Sequence, residues 1–132
     1  MGVFLSFDAR SDVLMIRFEG DVTDEVLMTR FQTVREWFAA NGPRSNITDF
    51  SAVQGMDVSI QTVSRLSTAA PLVPDGYQRI IVAPQDKAFG MSRMYEMQGS
   101  MTRDYVHVVR NLEEAYRLAG VIDPQFSTIL DW

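Results

Sequence analysis

The chain contains no cysteine, one histidine and one lysine among its 132 residues. Without cysteine there can be no disulfide, no thiolate nucleophile and no cysteine-ligated metal. Any Ser-His-Asp triad or zinc site would have to use His107, which stands between two valines in an apparent strand. A structural histidine is the more common case at such a position. Lys87 is the single candidate for Schiff-base chemistry, and it lies among ordinary helix-start residues.

The common catalytic and nucleotide-binding motifs are also absent. The sequence has no Gly-x-Ser-x-Gly elbow, no P-loop and no Gly-x-Gly-x-x-Gly fingerprint. Paired carboxylates occur at positions 24–25 and 113–114, but both pairs open helices, where the helix dipole and solvation account for them. We therefore expect no catalytic residues, no metal ion and no cofactor, because no constellation of polar groups is visible.

Charge and hydropathy argue against two further classes of partner. The net charge is −5 and the twelve basic residues are scattered, so the chain has no basic stripe for nucleic acid. No apolar run approaches the roughly 20 residues that span a bilayer. The first residues also lack the basic leader and long apolar stretch of a signal peptide. We expect a cytoplasmic protein with no membrane span.

Hydrophobic periodicity predicts that the chain opens with a β-hairpin and a helix. Residues 3–7 and 14–18 alternate with period two around a short polar turn. Thr23 suits the N-cap of a helix, and Asn41-Gly42-Pro43 suits its end. Between them, one apolar stripe repeats at helical spacing: Leu27, Phe31, Val34 and Phe38.

The remainder alternates strand and helix. The predicted elements are a strand at 45–50, a helix capped by Asp57 or Ser59, a strand at 77–83, a helix capped by Asp86 and running to about Met101, a strand at 105–109, and a helix capped by Asn111 and ended by Gly120. This ββαβαβαβα order predicts an α/β fold. We expect a mostly parallel mixed sheet of about five strands with four helices, its first strand antiparallel at an edge.

Two segments, each leaving a strand and opening a helix, are candidates for a binding site. The first contains Asp49, Ser51, Asp57 and Ser59. Backbone N–H groups and hydroxyls at a helix N-terminus suit an anion or a partner contact. The simpler interpretation, that these residues build a turn and a cap, is locally favoured.

The second segment contains Phe89, Gly90, Arg93, Met94 and Tyr95. A glycine inside a helix costs about 1 kcal/mol relative to alanine, which suggests that another group approaches the backbone closely at Gly90. The same helix carries four of the eight methionines: Met91, Met94, Met97 and Met101. Methionines serve adaptable binding surfaces and also fill cores, and the sequence leaves both interpretations open.

Three stretches of the chain resemble the STAS and SpoIIAA-like fold family, over roughly residues 3–119. Asp49-Phe50-Ser51-Ala52-Val53 with Met56-Asp57 is similar to the family's Asp-Leu-Ser-x-Val…Met-Asp-Ser segment. Phe89-Gly90-x-x-Arg93-Met94-Tyr95-Glu96 resembles the Tyr-Gly-x-x-Arg-Met-Tyr-Glu signature of an uncharacterised bacterial branch described as STAS/SEC14-like. The third stretch, residues 108–115, is similar to that branch's closing Val-Phe-Arg-Asp-Leu-Glu-Glu-Ala.

The resemblance implies a SpoIIAA-like fold but not the family's regulatory switch. Members of the family that antagonise anti-sigma factors are switched by phosphorylation of the serine that follows the Met-Asp pair. Val58 occupies that position here. Ser59 is one residue late, about 100° further round a helix, so we expect no phosphoserine switch.

Two functions remain open for a non-catalytic module of this kind. The leading interpretation is a regulatory domain that acts through protein–protein contacts with an unidentified partner or as a homodimer. The alternative is a domain that binds a small apolar ligand or lipid, with the methionine-rich helix lining a pocket and Arg93 holding a carboxylate or phosphate. A salt bridge from Arg93 to Asp86 or Glu96 is the simpler role for that arginine.

The last twelve residues form an apolar extension. We assign residues 1–120 to the α/β domain and 121–132 to the extension. Pro124 suits a first helical turn, and the apolar residues that follow predict a short helix with a one-sided stripe: Phe126, Ile129 and Leu130, with Trp132 beyond. We expect the stripe to cover either this domain, over the methionine-rich helix, or a second subunit, with the second subunit slightly preferred.

Overall fold

The computed structural model of the protein describes residues 2–99 and 106–131. The strands are β1 (Gly2–Asp8), β2 (Val13–Thr23), β3 (Ser45–Asp57), β4 (Arg79–Val82), β5 (Val106–Val109) and β6 (Ser127–Asp131). The helices are α1 (Asp24–Asn41), α2 (Ile60–Thr68), α3 (Asp86–Gly99) and α4 (Leu112–Ala119).

The strands form one mixed sheet in the order β5-β4-β3-β2-β1-β6. Strands β2 to β5 run parallel, each joined to the next by a helix, whereas β1 pairs antiparallel with both β2 and β6. The predicted fold class is therefore confirmed: an α/β fold with a mostly parallel mixed sheet, four helices and antiparallel strands at one edge. The sheet has six strands rather than about five because the C-terminal segment adds β6 outside β1.

Local sequence signals fix most of the element ends. The Asp8 carboxylate accepts a hydrogen bond from Ser11 Oγ at 2.7 Å and so closes the β1–β2 turn. The side chains of Thr23, Ser59 and Asn111 accept backbone hydrogen bonds as the N-caps of α1, α2 and α4. Gly120 ends α4 in the left-handed conformation that glycine tolerates best. These caps agree with the sequence predictions, and they choose Ser59 over Asp57 for α2.

Each face of the sheet carries its own hydrophobic core. Helices α1, α2 and α3 cover one face, where the core includes Phe18, Val34 and Val63. Helix α4 covers the other face, where the core includes Ile47, Ile80 and Ala115. The predicted α1 stripe packs on the first core, with Val34 and Phe38 buried and Leu27 and Phe31 partly buried. Alternation along the central strands therefore decides which side chains face the three helices and which face α4.

Several element ends differ from the sequence prediction, among them the end of β2 at Thr23 instead of residue 18 and the start of β4 at Arg79 instead of residue 77. Strand β3 continues to Asp57 instead of stopping near residue 50, because the long β2 pairs with it beyond that point through two register shifts. Helix α3 includes Asp86 as its first residue rather than as its cap. Met101 and Tyr105, predicted as the end of that helix and the start of the last strand, lie outside the described residues.

The helix predicted for the C-terminal extension is wrong, since residues 127–131 form β6. Strand β6 pairs antiparallel with β1, from Phe7↔Ser127 to Phe4↔Asp131. An isolated helix of one or two turns must meet an unfavourable nucleation step, whereas the free edge of β1 offers ready backbone hydrogen-bond partners. The segment therefore docks on the chain's own sheet, away from the methionine-rich helix.

Burial along the extension also differs from expectation. Val121 is buried beneath α4, and the Phe126 ring stacks on Tyr116 with centroids 6.1 Å apart. Ile129 and Leu130, which we expected to be covered, remain 43% and 38% exposed. Trp132 lies outside the described residues. In the part of the chain that is described, no helix is long and apolar enough to cross a membrane.

Candidate functional site

The main candidate for a ligand site is an apolar cavity, partly open to the surface, between the sheet and helices α1, α2 and α3. Its volume is about 80 Å³. Side chains from the sheet and from all three helices border it, among them Ile16, Ile81, Val34, Val63 and Met91. Protein interiors are normally packed with few voids larger than a water molecule, so a space of this size is unusual in a domain this small.

One charged side chain, Arg79, is buried at the cavity wall. Arg79 opens β4 and is only 4% exposed. Its Nε donates to Asn46 Oδ1 at 3.3 Å, and its Nη1 donates to the Tyr95 hydroxyl at 2.5 Å. The guanidinium carbon lies 5.5 Å from the ring centroids of both Phe31 and Tyr95. The Asn46 side chain, the Tyr95 hydroxyl and the rings of Phe31 and Tyr95 therefore hold the guanidinium in place.

The charge of Arg79 has no carboxylate partner within residues 2–99 and 106–131. Arginine stays protonated in proteins, so burial cannot neutralise it. Contacts with two aromatic faces offset part of the desolvation cost through cation–π attraction, but they do not cancel a full charge. The cavity is thus apolar over most of its walls, with two arginines at its border, the buried Arg79 and the partly buried Arg30 of α1.

Two hydroxyl side chains, those of Thr48 and Ser92, also line the cavity. Both residues are buried. Among the described residues, neither hydroxyl makes a hydrogen bond. Together with Arg79 they give the apolar cavity a small set of polar groups, which is the usual composition of a small-molecule site.

The first predicted segment is mostly structural. Ser59 caps α2 by accepting from the Thr62 backbone at 3.2 Å, and its own N–H donates to Asp24 Oδ1 at 2.7 Å. This hydrogen bond lowers the pKa of Asp24 from its ordinary 3.8. Ser51 donates its backbone N–H to Asp49, and Asp57 is an exposed residue at the end of β3. For Ser51 and Ser59 the structure supports the simpler turn-and-cap interpretation.

Asp49 is fully buried, but it lies on the α4 side of the sheet, opposite the cavity. Its Oδ1 accepts from the Ser51 backbone at 2.9 Å, while its Oδ2 lies 3.8 Å from Arg17 Nη1 and accepts no hydrogen bond from the described residues. Burial, and after it the Asp49 carboxylate, raise the pKa of Tyr116 from its ordinary 10.0. Asp49 therefore belongs to the polar packing beneath α4 and not to the cavity.

Some residues of the second predicted segment, 89–95, lie at the surface, and others line the cavity. Phe89 is partly buried and carries the Arg110 guanidinium 3.7 Å above its ring. Gly90 has no described atom within 4 Å of a notional Cβ, so the close approach predicted from this glycine is absent. Arg93 is half-exposed and pairs with Glu96, one turn away. The structure thus gives Arg93 the simpler of its two predicted roles.

The methionine-rich helix borders the cavity through only part of its length. Met91 lines the cavity, Met94 packs partly buried against the same core, and Met97 is 64% exposed. Tyr95 is buried and lines the cavity, and it is the only one of the nine predicted site residues to do so. Val58, where we expected no phosphoserine switch, is also buried at the cavity wall.

Arg79 was not among the site residues predicted from the sequence, although the sequence carries a signal for it. An arginine directly preceding Ile80-Ile81-Val82, in a strand expected to be covered on both faces, must be either paired or functional. Its partners could not be inferred, because Asn46 is 33 residues away along the chain. The register Asn46↔Arg79 brings them together.

Comparisons with protein families and curated proteins identify no relative of this chain. No protein-family model matches the chain, and no curated protein matches it. Within the described ranges, no group of three or more His, Asp or Glu side chains could hold a metal ion. His107 is half-buried on β5, where its backbone pairs with Ile80.

Proposed function

We propose that the protein is a non-catalytic, SpoIIAA-like binding domain whose ligand is a small apolar molecule held between the sheet and helices α1, α2 and α3. The observation that carries this proposal is the apolar cavity of about 80 Å³, with its few buried polar groups. This reverses the order of our sequence-based interpretations: ligand binding becomes the leading function, and protein–protein contact becomes the second.

The cavity volume limits the size of the ligand. The accessible volume within the cavity is about 80 Å³. Typical drug-sized sites occupy about 300–1,000 Å³. A short aliphatic group fits this cavity, and a full lipid chain does not.

An unfilled cavity of this size also has an energetic cost. At about 24 cal/mol per Å³, an enclosed void of 80 Å³ would cost about 2 kcal/mol, which is an upper bound here because the cavity is partly open to the surface. A domain of ordinary stability has only about 5–15 kcal/mol in total. A ligand that fills the space and binds only the folded state would recover part of that cost.

The proposal is tested by native mass spectrometry of protein purified without detergent, followed by titration with butan-1-ol. We expect either an additional bound mass or saturable binding of the alcohol. Val63→Phe, which fills the cavity from α2, should abolish binding. Ile60→Phe is the matched control, because Ile60 lies on the same helix but is 63% exposed. Absence of both signals from the wild-type protein would contradict the proposal.

One further observation favours self-association as a second candidate function. The outer edge of β6 is unpaired in the described sheet, and its Ile129 and Leu130 side chains are substantially exposed. An antiparallel edge can pair with a second copy of itself about a two-fold axis. The strand carries no proline or lysine to discourage such pairing.

Light scattering across a concentration series tests this second candidate. We expect a dimer that Ile129→Lys dissociates. Ile122→Lys should leave the dimer intact, because Ile122 is 82% exposed but lies outside β6. A wild-type protein that stays monomeric at every concentration would refute it.

A further inference from the structure

We infer that the ligand of the cavity is a short apolar carboxylate whose carboxylate group is bound by Arg79. This inference rests on the proposed ligand-binding function, and it adds the chemical class of the ligand and the residue that selects it. The two observations behind it are the position of the buried guanidinium at the cavity wall and its lack of a carboxylate partner among the described residues.

The donors of Arg79 are only partly used. A guanidinium has five N–H donors in a planar fork. One donor on Nε binds Asn46, and one on Nη1 binds Tyr95. Three donors remain without an acceptor among the described residues. A carboxylate is the group that pairs with this planar fork through two parallel hydrogen bonds.

The surroundings of Arg79 hold the fork in place before any ligand arrives. Asn46 Oδ1 fixes the Nε side, and Asn46 itself is anchored by donating from Nδ2 to the Arg44 carbonyl at 3.1 Å. The rings of Phe31 and Tyr95, whose centroids are 6.5 Å apart, each lie 5.5 Å from the guanidinium carbon. A pre-ordered side chain loses little conformational entropy on binding, which favours affinity for a small ligand.

The remaining polar groups of the cavity suit the same ligand. The Thr48 and Ser92 hydroxyls can donate to carboxylate oxygens, while the aliphatic walls receive the hydrocarbon part. A ligand carrying a positive charge would instead face Arg79 at close range in an apolar site, where like charges repel strongly. The cavity therefore discriminates by head group as well as by size.

The test compares three ligands that share a four-carbon chain: butanoate, butan-1-ol and butylamine, at pH 7. Binding to the wild-type protein is followed by NMR titration. We expect butanoate to bind about 10- to 100-fold more tightly than butan-1-ol, the range expected for hydrogen bonds to a charged group. Butylamine should not bind measurably. This comparison needs no variant, so it stands even if a substitution at Arg79 disturbs folding.

Two matched arginine variants test whether Arg79 is the residue that binds the carboxylate. Arg79→Gln keeps a hydrogen-bond donor near Asn46 but removes the charge and the fork, so butanoate should lose its advantage while butan-1-ol still binds. Arg93→Gln removes an exposed arginine on α3 and should leave both affinities unchanged. If butanoate binds no better than butan-1-ol, the inference about Arg79 fails while the proposed function stands. If none of the three ligands binds, both fail.

Discussion

Filling the cavity from α2 should stabilise the unliganded protein. Val63 is buried and borders the cavity, and Val63→Ile adds one methylene there. A buried methylene is worth about 0.8 kcal/mol, and complete filling of the 80 Å³ would return at most about 2 kcal/mol, because the cavity is partly open to the surface. We expect the free energy of unfolding to rise by about 0.5–1 kcal/mol. Valine and isoleucine have similar helix propensities, so the gain would report packing and not the helix itself.

Urea unfolding of the two proteins side by side measures this gain. The denaturation midpoint should rise while the m-value stays constant, which identifies a change in stability without a change in the folded or unfolded ensembles. Val82→Ile is the matched control, because Val82 is fully buried in the opposite core and does not border the cavity. Overpacking should cost that variant about 1–3 kcal/mol. If Val63→Ile loses as much stability as Val82→Ile, the space is not there and the reasoning is refuted.

Three further predictions concern the periphery of the fold. A chain ending after Gly120 should be about 1.5–3 kcal/mol less stable in urea than one ending after Pro124, because it loses buried Val121; equal midpoints would refute this. The hydrogen bond from Ser59 lowers the pKa of Asp24, so the ionised carboxylate stabilises the fold above the unfolded value of 3.8. Asp24→Asn should lower stability at pH 7 and lose its effect as the pH falls below 3.8; a pH-independent difference would contradict the assignment. Ser59→Ala should cost about 1 kcal/mol through loss of the α2 cap, and a change below 0.3 kcal/mol, roughly, would exclude that role.

The features that the sequence predicted well are those set by neighbouring residues. The caps at Thr23, Ser59 and Asn111 and the stop at Gly120 each depend on contacts within a few residues. The alternation of strand and helix follows from a change of hydrophobic period, which is equally local. These signals were sufficient for the fold class because sequential β-α units leave few topologies open.

The features that the sequence missed depend on distant partners. The spacing of Phe126, Ile129 and Leu130 suits a helix, yet the unpaired edge of β1 about 120 residues earlier makes the segment a strand. Likewise, β3 continues past Phe50 only because β2 is long enough to pair with it. In both places a pairing partner overrides the local pattern.

Of the nine site residues predicted from the sequence, only Tyr95 lines the cavity. The glycine and arginine in the same segment, Gly90 and Arg93, drew attention because they are unusual in a helix, but both face outward. Arg79 was overlooked because its significance comes from burial and from the lack of a carboxylate partner in the described chain. The adjoining Ile80-Ile81-Val82 run indicates burial, but the lack of a partner depends on what packs around the side chain and cannot be seen in a stretch of sequence.

The most direct measurement of the central claim is a methyl-resolved NMR titration of the protein with butan-1-ol. Binding in the cavity should shift the methyl resonances of residues that border it: Ile16, Val34, Val63 and Ile81. The methyl groups of the opposite core should stay unchanged and serve as the internal control: Val13, Ile47, Ile80 and Val82. Saturable shifts confined to the first group are the predicted result. Shifts that are absent, or that appear equally in both groups, would contradict the assignment of the cavity as a ligand site.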